Sequence, residues 1–129
     1  MTNPQGVIIN PSPYSVRETI DRLEAFLRQR GATIYARIDQ QAELQKVGET
    51  IPPLEFILFG NPKAGGPIMA GNPIAALDLP LKVIAWENEK HEVFVAYNDA
   101  LYIEDRYALP HNPASPLNLA ILIETALKP

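Results

Sequence analysis

Leu54-Glu55-Phe56-Ile57-Leu58-Phe59 is apolar at both parities except for Glu55. Successive side chains of a strand point to opposite faces, so a strand of this kind has to be covered on both sides. The other elements must be arranged around it. It runs directly into Gly60-Asn61-Pro62-Lys63-Ala64-Gly65-Gly66-Pro67, where glycines and prolines surround one lysine. Residues of these types favour turns, each through its own backbone geometry, so this stretch reads as a loop.

The segments before it are legible in turn. Val7-Ile8-Ile9 is a short strand stopped by Asn10-Pro11-Ser12-Pro13, with an edge position in view. Ser15 and Glu18 form a capping box for a helix carrying Val16, Ile20, Leu23 and Leu27 at helical spacing. Glu18 with Arg22, and Glu24 with Arg28, are i,i+4 pairs on its outer face, and Gly31 ends it. Ala32 to Ile38 alternates, which predicts Ala32, Ile34, Ala36 and Ile38 facing a core and Thr33, Tyr35 and Arg37 facing away. Asp39 caps a short helix stopped by Gly48.

Beyond the glycine cluster, Ile68-Met69-Ala70 reads as one helical turn closed by Gly71. Asn72 and Pro73 open another. Leu81–Trp86 and Glu92–Tyr97 read as strands joined by a connection short enough for an antiparallel hairpin. Leu101–Tyr107 reads as a short helix, with a strand as the alternative. Ser115 caps a last helix, Leu117 to Lys128, that is apolar nearly all round and so predicts burial against a second subunit. The order β-α-β-β-β-β-α indicates an α+β fold: an antiparallel sheet with two main helices on one face and short helical inserts. The other sheet face is expected to carry large side chains such as Phe59 and Trp86 and to meet a partner or ligand. Residues 1–129 read as a single domain.

Composition removes several function classes. The chain has 11 basic and 15 acidic residues, a net charge of −4 and a pI near 5.1. It lacks the positive field that nucleic acid or an anionic membrane surface attracts. With no cysteine, thiolate nucleophiles, disulfides and Cys-ligated metal sites are out of reach. No leader pattern opens the sequence and no apolar run is long enough to cross a bilayer, so a cytoplasmic protein is expected.

Gly60-Asn61-Pro62-Lys63-Ala64-Gly65, Asp78-Leu79-Pro80-Leu81-Lys82, Trp86-Glu87 and Tyr97-Asn98-Asp99, in this order, resemble the family named domain of unknown function 302. The resemblance extends roughly from Ser12 to Leu109. It implies a β-α-β4-α fold like half of a TATA-box-binding protein, dimers in some members, and no established activity. It also implies histidines after the aspartate of the second strand and after a late arginine. Here those places read Asp39-Gln40-Gln41 and Arg106-Tyr107-Ala108-Leu109.

The candidate ligand-binding residues are Asn61, Lys63, Gly65, Asp78, Lys82, Tyr97 and Arg106. In one reading the glycine loop cradles a small anionic or partly apolar ligand, with free backbone N–H groups and Lys63 taking the negative charge. The pattern is not a phosphate-binding P-loop. In the other reading it is a rigid turn with Asn61 bonding its own backbone. Trp86, Tyr97, Phe56, Phe59 and Phe94 either line an apolar pocket or are core. His91 and His111 have no ligand partners nearby in sequence, so no metal or cofactor is expected. Three functions stay open: a homodimeric small-molecule-binding module, an enzyme using Lys63 with Asp78 or Asp105, and a structural or interaction protein.

Overall fold

The fourteen-residue helix α1 (Val16–Gln29) begins where Ser15 accepts a hydrogen bond from the Glu18 amide. It follows strand β1 (Val7–Ser12) and ends at Gly31, whose φ of +83° relieves the chain of a Cβ in the left-handed region. The computed structural model describes residues 3–129, so the Met1–Thr2 start of the leader reading lies outside the described residues. Strand β2 (Thr33–Asp39) leads into α2 (Gln40–Gln45), and β3 (Leu54–Gly60) leads into α3 (Pro62–Gly71). A 3-10 turn (Pro73–Leu77), β4 (Leu81–Glu87), β5 (Val93–Asn98), α4 (Ala100–Arg106) and α5 (Ala120–Ala126) complete the chain. The five strands form one antiparallel sheet in the order β1-β5-β4-β3-β2, with β1 at an edge. The fold is α+β, with α1 and α5 packed together on one face.

The registers sort the side chains. Phe59, Ile57, Leu81, Val83, Ala85, Val95 and Tyr97 face the helices and are buried. Ile20, Leu23 and Leu27 of α1, and Leu117, Ile123 and Leu127 around α5, join them in one core. Each fully buried side chain of this kind is worth ~1.5–3 kcal/mol. Phe56, Leu58, Ile84, Trp86, Phe94 and Ala96 lie on the other face, which no helix of the α1–α5 layer covers. Phe59 and Trp86, expected on the same open face, therefore sit on opposite faces. Their registers differ by one parity across the β3–β4 ladder, where Phe59 opposes Leu81 and Leu54 opposes Trp86.

Strand β2 departs from simple alternation. Ile34 pairs with Phe59 but Ala36 pairs with Leu58, so Tyr35 is an extra residue in a bulge. A one-residue insertion reverses which side chains face in. Arg37 consequently turns toward α1, while Ala36 and Ile38 move to the open face, contrary to the alternating pattern. The reversal is held by charge. Arg37 donates from Nε (3.2 Å) and Nη2 (3.1 Å) to Oε1 of Glu55, a buried carboxylate, and from Nη1 to Asp21 of α1 at 2.6 Å.

The last helix is shorter than its apolar content predicts. Ser115 bonds the Leu117 amide (3.1 Å), and Asn118 takes the Ala120 amide (3.3 Å), which interrupts the helix before α5 starts. Its outer surface carries Ile121, 76% exposed, with Glu124 and Thr125. The helix is thus one-sided and does not itself call for a second subunit.

Arg37→Met leaves Glu55 buried without its main partner. Stability should fall by about 2–4 kcal/mol, and Arg37→Met/Glu55→Gln should recover part of it. Urea unfolding checks this. A loss within ~0.5 kcal/mol, the range of ordinary surface changes, would show that the pair is incidental.

Candidate functional site

The glycine-rich stretch is not a loop. Asn61 accepts the Lys63 amide on its side chain (3.0 Å), and Pro62 sits at the first helical position, so the chain starts a helix at once. The Ala64 and Gly65 amides bond the Asn61 carbonyl at 2.9 and 2.8 Å. The first-turn N–H groups are therefore used by the helix start and form no open anion cradle. The helix then tolerates Gly65, Gly66 and Pro67, and none of its residues is buried. Two glycines cost about 1 kcal/mol each relative to alanine, and Pro67 has no N–H to return to the Lys63 carbonyl. Intrinsic propensity therefore contributes little to α3.

What α3 does is wall a cleft of about 510 Å3. Ala64, Gly65, Ile68 and Met69 form one side. Leu27, Arg30 and Ala32 at the end of α1 form the second. Phe59, Gly60 and Leu79–Leu81 form the floor, and Pro116–Leu119 with Leu122 close the far side. Tyr35, the bulged residue, stands at the rim, and its ring would lie 3.6 Å from a Cβ at Gly60. Most lining groups are apolar. Arg30 is the one formally charged lining residue among the described residues.

The seven residues singled out in the sequence fall in different places. Asn61 and Gly65 line the cleft; Lys63 lies one helical position away, is exposed, and makes no ion pair among the described residues. Asp78 and Lys82 line an adjoining hollow of about 270 Å3, which shares Leu79–Leu81 and Leu119 with the cleft. Asp78 is already engaged. Arg106 donates to its Oδ2 at 3.0 Å, and the Tyr107 hydroxyl donates to the same oxygen. That bond to a carboxylate raises the Tyr107 pKa above its ordinary value. Lys82 lies on the open face with its ammonium 4.5 Å from the Phe56 ring centre. Tyr97 is in the core, where burial raises its pKa, and its hydroxyl accepts from Asn10 at 3.3 Å.

Asp105 and both histidines are also occupied. Asp105 accepts from His111 at 2.6 Å, and this hydrogen bond raises the His111 pKa. His91 pairs with Glu87 at 3.1 Å. Gln41 and Tyr107, at the two places where the family resemblance implies histidine, bond the Ile51 carbonyl (3.0 Å) and Asp78. Among the described residues no group of three or more histidine or carboxylate side chains is placed to hold a metal. Of the five aromatics considered, Phe59 reaches the cleft, Tyr97 is core, and Phe56, Trp86 and Phe94 lie on the open face.

Residues 8–122 match the family model described as domain of unknown function DUF302. The chain belongs to the DUF302 family. Every wall of the cleft lies within that DUF302 match. The fold is shared with the crystal structure of an uncharacterized conserved DUF302 protein from Bacillus stearothermophilus, with a TM-score of 0.75, 18% identity, and coverage of 96% of this chain and 97% of that one. Curated relatives include fluoride-specific ion channel FluC 1 of Brucella suis and FluC 2 of Brucella melitensis. Each is 35% identical over 104 residues, which is 81% of this chain and 41% and 38% of those proteins. The chain thus spans about two-fifths of the length of these relatives. No helix among the described residues is long and apolar enough to cross a membrane.

Sequence reasoning missed Arg30, Tyr35 and Leu122. Arg30 is the last residue before the α1 stop signal, so its place at a rim was readable in principle. Tyr35 depends on the bulge, and Leu122 on the late start of α5; neither leaves a local signal.

Proposed function

We propose that this DUF302 protein binds a small, largely apolar molecule in the cleft between α1, α3 and the Pro116–Leu122 segment. The observation that carries the reading is the cleft itself. Its volume of about 510 Å3 lies within the ~300–1,000 Å3 range of small-molecule sites, and its lining is apolar with a few polar groups, as such sites require. Asn61 and Gly65 belong to this site. A reaction using Lys63 with Asp78 or Asp105 lacks support, because those carboxylates are held by Arg106, Tyr107 and His111. The channel activity named for the Brucella proteins is not carried over, since the shared segment is a minor part of their length.

A second reading concerns assembly. The open sheet face carries Leu54, Leu58, Ile84, Trp86 and Phe94, all half-buried, and its one charge, Lys82, rests over a ring. Five strands ~4.8 Å apart and ~20 Å long present about 480 Å2. Two copies face to face reach the ~1,000 Å2 that a specific interface needs. A face so poor in charge suits a second copy of itself better than a charged partner.

The cleft is tested with the neutral apolar dye Nile red. Gly65→Phe puts a ring into the cleft, whereas a side chain at Gly66 meets open space. Dye affinity should fall at least about tenfold for Gly65→Phe and stay within about twofold for Gly66→Phe. Equal affinity in both variants would contradict the site. For assembly, sedimentation at micromolar concentration should show a dimer and Ile84→Glu a monomer that still binds the dye. A monomeric parent protein would remove the second reading.

A further inference from the structure

The proposed ligand site has a polarity that its apolar lining conceals. The chain has six arginines. Arg17, Arg22, Arg28, Arg37 and Arg106 each lie within ion-pair distance of a carboxylate. Arg30 has no such partner among the described residues, although acids outnumber bases 15 to 11. Its guanidinium carbon lies 4.5 Å from the Phe26 ring centre, Arg30 lines the cleft, and its side chain makes no hydrogen bond among the described residues.

The neighbouring amides point to the same preference. The side-chain oxygens of Asn61 and Asn118 are taken by the Lys63 and Ala120 amides. Their NH2 groups make no hydrogen bond among the described residues. These free N–H donors, beside the Arg30 guanidinium, make the polar rim favour an anion.

We infer that the ligand is an amphipathic monoanion, with its apolar body in the cleft and a carboxylate head on Arg30. This rests on the binding reading above. One unpaired guanidinium balances one negative charge, and its fork matches a planar carboxylate. A phosphate monoester brings close to a second charge, whereas Arg30 is the one charged side chain lining the cleft among the described residues.

The experiment displaces Nile red from the intact protein with decanoate and with decan-1-ol, in the parent chain and in Arg30→Gln. Arg30 is exposed, so the variant keeps the fold. Decanoate should compete about tenfold better than decanol in the parent chain, the factor expected of one charge-assisted hydrogen bond. Arg30→Gln should abolish that advantage and leave decanol within about twofold, inside ordinary surface-substitution effects. Equal competition by the two probes in the parent chain, or an equal loss for both in the variant, overturns the anion while leaving the cleft as a site. Failure of Nile red itself to bind overturns the cleft and the anion together.

Discussion

Arg37 and Glu55 hold the sheet, the helix layer and the cleft in one relation. Glu55 is the single polar residue in the most apolar strand, and it points toward α1, where an unpaired carboxylate is costly. Arg37 reaches it only because β2 gains one residue at Tyr35, reversing the strand's facing. The same extra residue places Tyr35 at the rim of the cleft. Asp21 and Glu24 extend the charge network onto α1, and Arg17 adds a longer contact to Glu55 at 3.9 Å. The network seats α1, and the end of α1 supplies Leu27 and Arg30 to the cleft.

The parts of the fold legible in the sequence are those governed by neighbours in the chain. The Ser15 and Asn72 caps and the β4–β5 hairpin all depend on residues a few positions apart. The parts that escaped are set by contacts distant in sequence. The bulge in β2 is selected by Glu55, eighteen positions from Arg37. Gly65, Gly66 and Pro67 read locally as a turn, yet Asn61 and Pro62 commit the chain to a helix before they are reached. Asn118 delays α5 by competing for its first amides, which hydropathy does not register.

The cleft lies beside the stretch that the sequence singles out, with a different cation on its wall. The stretch following Phe59 does wall a cleft, and Asn61 and Gly65 do line it. The charge assigned to Lys63 sits outside, because the helical turn that brings Ala64 and Gly65 inward carries Lys63 outward. The cation at the cleft is Arg30, contributed by a helix that reads as purely structural.

The most direct measurement is amide chemical-shift mapping with Nile red. If the cleft is the site, the largest changes fall on the Gly60, Ala64, Gly65, Leu119 and Leu122 amides, which surround one cavity. If the largest changes fall instead on Ile84, Trp86 and Phe94, the dye is held by the open sheet face and the account of the cleft is wrong.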